Sequence, residues 1–147
     1  MAKNLPNQNK RVMLFGTFDG LHQGHLNFFK QARELSSGPV ELIVSVARDK
    51  NVLKIKKRKP ALNEKARMSM LRANHLVDKV VLSGIASYLP HILREQPDII
   101  ALGYDQRAYV ADLRRDLKKI GKKIKIVRLK PYKKHIYKSS LLKKIKH

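Results

Sequence analysis

Apolar residues near the start of the chain form two patterns, a short continuous run and then a run with helical spacing. Residues 11–15 are mostly aliphatic or aromatic and are followed by Gly16, which indicates a buried strand that enters a tight turn. Between residues 25 and 35 an apolar side chain recurs every third position, and the polar and Pro/Gly residues at 36–39 end this pattern. The chain is therefore predicted to begin with a strand, a turn, a helix and a loop.

The same alternation continues through the rest of the chain. Further strands are predicted from short β-branched or aliphatic runs at 40–46, 79–82, 99–102 and 124–129. Helices are predicted at 63–72 with Asn63 as N-cap, at 89–95, and at 107–120 with Gly121 as C-cap. Residues 48–60 are predicted to form a basic loop, and residues 140–145 a terminal turn or short helix. Strands that alternate with amphipathic helices imply an α/β fold, a single Rossmann-like open parallel sheet with helices on both faces.

In an open parallel sheet, ligands bind outside the carboxyl ends of the strands. The predicted connections at those ends are 16–25, 48–60 and 103–106, and all three carry polar or basic side chains. The sequence therefore predicts a functional site at that edge of the sheet.

The charge of the chain narrows the chemistry of its partners. Lys and Arg number 33 against 11 Asp and Glu, a formal net charge of +22. Seven basic side chains lie within residues 48–60, and fifteen lie within residues 114–147 against the single acid Asp116. A nucleic acid, an anionic membrane surface or a highly phosphorylated small substrate would each suit this distribution, and charge alone does not choose among them.

Other features of the sequence exclude several kinds of site and several classes of protein. Cysteine is absent, which excludes disulfides, thiolate metal sites and a cysteine nucleophile. No apolar stretch approaches the roughly 20 residues that a membrane-spanning helix needs, and the start of the chain lacks a signal-peptide pattern. We expect a cytoplasmic protein without a membrane partner, made of a polar extension at 1–10 and one domain at 11–147.

The connection after the first strand carries the most distinctive residues. It contains neither Gly-x-Gly-x-x-Gly nor the Gly-Lys-Ser/Thr of a P-loop, so the usual dinucleotide and Walker ATPase sites are not indicated. His22 and His25 are three residues apart at the predicted start of a helix and would share one face. Gly24 between them would let a phosphate approach the free backbone amides. The pattern favours two donors to one phosphate group.

This connection also carries a family resemblance. The string Gly-Thr-Phe-Asp-x-x-His-x-Gly-His at 16–25 resembles the signature of the cytidylyltransferase-like nucleotidyltransferases. Later motifs agree with that family in order, at 46–49, 57–60, 64–67 and 139–143, so the resemblance covers residues 11–145. Within the superfamily, residues 97–106 and 128–134 are more similar to the archaeal-type FAD synthetases, which are FMN adenylyltransferases.

The resemblance implies a reaction of ATP with FMN that gives FAD and pyrophosphate, with a divalent cation such as Mg²⁺. It also implies that Thr17 and Phe18 lie along the path of the nucleotide, that Asp105 orients the nucleoside, and that Tyr132 offers a ring or hydroxyl. The residues expected to bind the nucleotide are Gly16, Thr17, Phe18, Gln23, Gly24, Asp105, Tyr132, Ser139 and Ser140.

The reaction also follows from the chemistry of the side chains. A phosphate oxygen of the acceptor would attack the α-phosphorus of a nucleoside triphosphate in line, and His22 and His25 would donate to the oxygens on which charge develops. No protein nucleophile is required. Four basic residues are candidates to neutralise the departing pyrophosphate, namely Lys54, Lys57, Arg58 and Lys59. Ser139 and Ser140 could bind its terminal phosphate at the start of a helix.

Several residues have simpler alternative explanations. His22 and His25 could ligate Zn²⁺ or be ordinary polar residues at a helix start. Asp105 and the two serines could serve only as helix caps, about half of the basic side chains could be solvated surface, and Asp19 could bond within its own turn.

The overall function has alternatives as well. One is CTP-dependent transfer to glycerol 3-phosphate or another small phosphorylated alcohol. Another is a basic protein that binds RNA without catalysis, although aromatic residues are only 6% of the chain and no RNA-binding signature is present. Weak, nonspecific nucleic-acid binding and a homodimer remain compatible with the enzymatic assignment.

Overall fold

The computed structural model describes residues 9–84, 88–104, 106 and 110–132. Strands and helices alternate along them as the sequence pattern predicted. The strands are β1 Lys10–Gly16, β2 Val40–Val46, β3 Lys79–Leu82, β4 Ile99–Leu102 and β5 Lys125–Arg128. The helices are α1 Gln23–Arg33, α2 Asp49–Lys56, α3 Glu64–Arg72, α4 Tyr88–Glu95 and α5 Val110–Lys119.

The five strands form one parallel sheet in the order β3-β2-β1-β4-β5. β1 occupies the centre, where Leu14 lies opposite Val44 of β2 and Ala101 of β4. Every strand therefore ends at the same edge, and the connections after β1, β2 and β4 meet there. This arrangement confirms the predicted Rossmann-like open sheet.

Alternate residues of the central strands point to opposite faces, because the side-chain period of a strand is two. Val12 and Leu14 pack on the face covered by Phe29 of α1 and Leu71 of α3. Met13 packs on the other face, with Ile92 of α4 and with Leu113 and Leu117 of α5. Helices thus cover both faces, and the strands are apolar almost throughout because both of their faces are buried.

Residues 48–60 differ from the prediction, because they begin with helix α2 rather than forming a loop throughout. Val52 is buried and anchors the helix to the core, while Asp49 in the first turn suits the positive end of the helix dipole. Lys57 ends the helix in the left-handed conformation with φ 62°. The helix was not predicted because only one of its residues is buried, so the sequence has no helical period of apolar residues there.

Smaller differences lie at element ends. β1 begins at Lys10, one residue inside the predicted extension, because the Lys10 amide bonds to Pro39 O. The predicted C-cap Gly121 is confirmed with φ 74°, and the amides of Gly121 and Lys122 bond to Lys118 O and Leu117 O, as in a Schellman motif. Three predictions fall outside the described residues, namely the terminal turn or short helix at 140–145, most of the polar extension and the start of the helix at 107. In the part of the chain that the structure describes, no helix is long and apolar enough to cross a membrane.

Candidate active site

The candidate site lies where the strand order changes direction. From β1 the chain continues to β2 on one side, whereas β4 lies on the other side, so a crevice opens above the carboxyl ends of β1 and β4. Leu14 is paired with Ala101, and two residues later the strands reach Gly16 and Gly103. Val46, the last residue of β2, is paired with Gly16. Three connections predicted to carry chemistry therefore start side by side.

The structure brings His22 and His25 together at the start of α1. His22 is the N-cap, and its Nδ1 accepts a hydrogen bond of 3.0 Å from the Gly24 amide. The His22 amide in turn donates to His25 Nδ1 over 3.2 Å. The two imidazole rings stack with centroids 3.9 Å apart and planes inclined by 29°. Reciprocal bonds thus attach both rings to the helix terminus by their Nδ1 atoms.

These bonds determine which nitrogen carries the proton. A ring nitrogen that accepts from an amide is unprotonated, so each neutral ring carries its proton on Nε2. Burial, and to a smaller extent the neighbouring His22, lowers the pKa of His25 from 6.5 to about 4. His25 is therefore neutral at pH 7. The pair offers Nε2–H donors to oxygen atoms at a helix N-terminus, where anions are also favoured by the free amides.

Packing beneath the turn fixes the ring of His25. Phe18 is buried, and its ring centroid lies 5.5 Å from that of His25 and 5.9 Å from that of Phe29. A Cβ atom at Gly16 would lie 2.7 Å from the Phe18 ring, so the strand must end in glycine for this ring to fit. The Phe18 side chain consequently belongs to the core. If Phe18 contacts the nucleotide, we expect its backbone rather than its ring to do so. The backbone of Phe18 has a φ of 56°, which turns the chain at this point.

Gly24 has a related role. A Cβ atom there would lie 2.7 Å from Cε1 and 3.0 Å from Nδ1 of His22. A side chain at this position would displace the ring that caps the helix. The absence of a side chain thus serves the histidine geometry in addition to the predicted approach of a phosphate.

Two adjoining cavities lie along residues 56–62, which we call the basic segment. One of about 330 Å³ lies against the connection after β1 and is lined by Thr17, Asp19, Val52, Lys56, Arg58, Lys59, Pro60 and Ala61. The other, of about 390 Å³, is lined by Asp49, Lys50, Leu53, Lys59, Pro60 and Asn63. Of the four basic candidates, Arg58 and Lys59 line the cavity beside Thr17, whereas Lys54 and Lys57 line neither cavity of the described residues. Lys56, which the sequence analysis did not select, lines the first.

Arg67 joins three parts of this region, and its side chain is 0% exposed. Its guanidinium donates to Leu62 O over 3.0 Å, to Thr17 O over 2.7 Å and to Asp49 Oδ1 over 2.6 Å. Burial would raise the pKa of Asp49, but hydrogen bonds from Arg67 and from the Glu64 amide hold that pKa below its ordinary value. The motifs at 46–49 and 64–67 contained these residues, but no sequence signal showed that they meet.

Asp19 binds neither within its own turn nor to an exposed side chain of the basic segment. Its two carboxylate oxygens accept hydrogen bonds of 2.7 Å each from the amides of Ala61 and Leu62. These bonds lower the pKa of Asp19, so the group is ionised at neutral pH. The alternative that Asp19 bonds within its turn is therefore wrong, because the chain turns the carboxylate towards a segment more than 40 residues away.

The connection after β4 is held by residues that sequence reasoning missed. The Gln106 side chain accepts from the Gly103 amide over 2.8 Å and donates to Phe15 O over 3.0 Å, which ties the ends of β4 and β1 together. Arg128 of β5 donates to Gly103 O over 3.0 Å and to Gln106 O over 2.6 Å. Asp105 itself lies outside the described residues. A glutamine at the end of a turn carries no pattern from which this bridging role could be predicted.

Of the remaining predicted residues, Gln23 lies beside His22 at the start of α1, whereas Tyr132 lies beyond β5. Gln23 is exposed, and Tyr132 is half-buried. Ser139 and Ser140 lie outside the described residues. Among the residues described, no three His, Asp or Glu side chains gather as a metal site would require, so nothing there supports the zinc alternative.

Comparisons with known proteins agree with this geometry. A family model described as cytidylyltransferase-like matches residues 13–145. An FAD synthase of Korarchaeum cryptofilum is 46% identical over 120 residues, which cover 82% of this chain and 81% of that protein. An FAD synthase of Methanothermus fervidus is 40% identical over 136 residues, covering 91% and 93%.

A solved structure supports the fold. The crystal structure of a lipopolysaccharide core biosynthesis protein from Thermoplasma volcanium is similar with a TM-score of 0.75 and 35% sequence identity, and it covers 84% of this chain and 98% of that one. The family match extends from β1 through the stacked histidines and beyond β5. The chain therefore belongs to the cytidylyltransferase-like family.

Proposed function

We propose that this protein transfers AMP from ATP to FMN, which gives FAD and pyrophosphate. Relatives of 36% to 46% identity are named FAD synthases, and they match most of this chain and most of their own lengths. The observation that carries the proposal is the stacked pair of imidazoles at a helix N-terminus, at the point where the sheet reverses its strand order.

In the proposed reaction, a phosphate oxygen of FMN attacks the α-phosphorus of ATP. A new P–O bond joins the two phosphates, and the bond from the α-phosphorus to the bridging oxygen breaks, so pyrophosphate leaves with that electron pair. His22 and His25 donate from Nε2 to oxygens of the reacting phosphate, where negative charge increases in the transition state. Because His25 is neutral at pH 7, it acts as a hydrogen-bond donor with no change of protonation.

The divalent cation is proposed to enter with the triphosphate. Mg²⁺ prefers oxygen ligands and keeps several waters, so it would neutralise part of the charge of the triphosphate. Asp19 is an ionised carboxylate at the cavity beside Thr17, but its oxygens already accept two amides. The donor set of the described residues therefore fits a cation held chiefly by its substrate.

The basic candidates are proposed to receive the departing pyrophosphate. Arg58 and Lys59 are favoured because they line the cavity next to Thr17, and Lys56 joins them. Lys54 and Lys57 are favoured less, since they line neither cavity of the described residues. Contacts of the nucleotide with Gly16, Thr17, Phe18, Gln23, Gly24, Asp105, Tyr132, Ser139 and Ser140 remain predictions of the family resemblance.

The test is a pairwise assay of ATP and CTP against FMN and glycerol 3-phosphate. We expect FAD and pyrophosphate in equal amounts from ATP and FMN, and little product from the other pairs. His25→Ala is expected to lower kcat by roughly 10²–10³-fold, the range for loss of one donor to charge that develops in the transition state. His75→Ala is the matched control, because His75 is exposed and precedes β3 at the opposite edge of the sheet.

Other outcomes would select an alternative. Product only from CTP and glycerol 3-phosphate would keep the site but reject flavin as substrate. Absence of product from all pairs, together with salt-sensitive RNA binding that His25→Ala leaves unchanged, would favour the noncatalytic RNA-binding alternative. The homodimer and weak nucleic-acid binding remain predictions that sedimentation with and without RNA would test.

A further inference from the structure

Asp19 makes an unusual long-range contact within the candidate site. It lies between two residues with positive φ, Phe18 at 56° and Gly20 at 128°, so the chain reverses sharply around it. Its oxygens Oδ2 and Oδ1 accept from the amides of Ala61 and Leu62, each over 2.7 Å. One carboxylate thus binds two consecutive amides of another segment with both oxygens.

The segment that Asp19 binds has few other attachments. α2 ends where the Lys57 amide bonds to Leu53 O, and Pro60 has no amide proton to donate. In the described part of the chain, the backbone hydrogen bonds found for residues 58–62 go to side chains of Asp19 and Arg67. The backbone that carries these exposed cations is therefore held by Asp19 of the connection after β1 and by Arg67 of α3.

The cavity of about 330 Å³ lies between the two joined parts. Its lining includes Thr17 and Asp19 from the connection after β1 and Lys56, Arg58 and Lys59 from the basic segment. Arg67 reinforces the same junction, because it donates both to Thr17 O and to Leu62 O. The distance between the connection after β1 and the cationic segment is thus set by these polar bonds.

We propose that Asp19 is a positioning residue, which holds the basic segment at the distance where its cations meet the triphosphate of ATP. This inference rests on the proposed function and adds to it a residue that supports the binding of ATP indirectly. Asp19 contacts no substrate phosphate in this role. It acts on ATP through the backbone of residues 61–62, and it has no part in binding FMN.

The direct test is Asp19→Asn, with Asp19→Glu as the conservative variant. Asparagine keeps the size of the side chain but places an NH₂ group against an amide donor, so one bond is lost and repulsion is added. We expect KM for ATP to rise roughly tenfold, the effect of losing one hydrogen bond to a charged group, and KM for FMN to change less than about twofold. Asp19→Glu, which retains two acceptor oxygens, is expected to recover part of the affinity for ATP.

Asp78→Asn is the matched control. Asp78 also accepts from a backbone amide, that of Leu42 over 2.8 Å, and pairs with Arg33, but it precedes β3 at the far edge of the sheet. We expect Asp78→Asn to lower the melting temperature without changing the ratio of the two KM values. Equal changes of both KM values in Asp19→Asn, as for a general loss of stability, would overturn the proposal.

Amide hydrogen exchange of the wild-type protein provides a second measurement that needs no variant to fold. We expect the Ala61 and Leu62 amides to be protected, and α,β-methylene-ATP to protect them further while FMN alone does not. Rapid exchange of both amides, or no response to the ATP analogue, would contradict the positioning role. If the wild type forms no FAD but the analogue still protects these amides, the proposed function fails and the positioning role stands.

Discussion

The histidine turn, residues 22–25, and the basic segment, residues 56–62, face the same edge of the sheet but are held in different ways. The histidine turn rests on buried rings of Phe18 and Phe29, and its rings are bonded to the helix terminus. The basic segment carries exposed cations, and its backbone is fixed by the side chains of Asp19 and Arg67.

The difference matches what each region has to do in the proposed reaction. Donors to the reacting phosphate gain most when their direction is fixed before the substrate arrives, and close packing supplies that rigidity. Cations that bind the triphosphate must also release pyrophosphate, and a segment held by a few polar bonds opens more readily than one held by core packing. The comparison predicts that substitutions in the turn lower kcat, whereas those around the basic segment raise KM for ATP.

The largest effect in this comparison is expected from Gly24→Ala. The added Cβ would lie 2.7 Å from His22 Cε1, so the ring must shift from the position in which it caps the helix. A displacement of about 1 Å in a catalytic group costs on the order of 100-fold, and we expect kcat to fall by that order with a smaller change in KM. Steady-state kinetics with ATP and FMN measures both constants.

Gly121→Ala is the control for Gly24→Ala. Gly121 has φ 74° at the end of α5 and open space around it, so an alanine there is strained but displaces no neighbour. We expect a loss of stability of about 1 kcal/mol and an unchanged kcat. Similar kcat values for Gly24→Ala and the wild type would show that the His22 cap does not direct the chemistry.

A smaller effect is expected from Lys59→Ala, measured against Lys54→Ala. Lys59 lines both cavities, whereas Lys54 lies on α2 and lines neither within the described residues. Loss of one charge-assisted contact predicts about a tenfold rise in KM for ATP in Lys59→Ala and a change within about twofold in Lys54→Ala. Equal changes in the two variants would mean that only the general positive field matters.

The fold was largely predictable because the strands are buried on both faces. Continuous apolar runs such as residues 40–46 and 99–102 appear directly in the sequence, and Gly121 marks a helix end by a known cap. α2 was missed because Val52 alone is buried among basic residues, so no apolar period marks the helix. Tertiary anchoring, which a single sequence does not display, decided that element.

The site was predictable where its chemistry is local in the sequence. The three-residue spacing of His22 and His25 correctly predicted that the rings share a face, as their 3.9 Å stacking shows. The bond of Asp19 to Ala61 and Leu62, and the bridge of Gln106 to Phe15, join residues far apart in the chain. Such contacts depend on how the strand ends meet, and neither spacing nor composition contains that information.

The most direct test of the account is the protonation state of the two imidazoles, measured by ¹⁵N NMR of the histidine rings over a range of pH. We predict that His25 carries its proton on Nε2 and remains neutral until the pH approaches its lowered pKa of about 4. Because the pKa of an unfolded histidine is about 6.5, the stability that neutral His25 contributes is present above pH 6.5 and is lost as the pH falls towards 4. We also predict that the Nε2 signals of both rings shift when ATP and Mg²⁺ are added. A His25 ring that carries its proton on Nδ1, titrates near 6.5 and ignores the nucleotide would contradict the account.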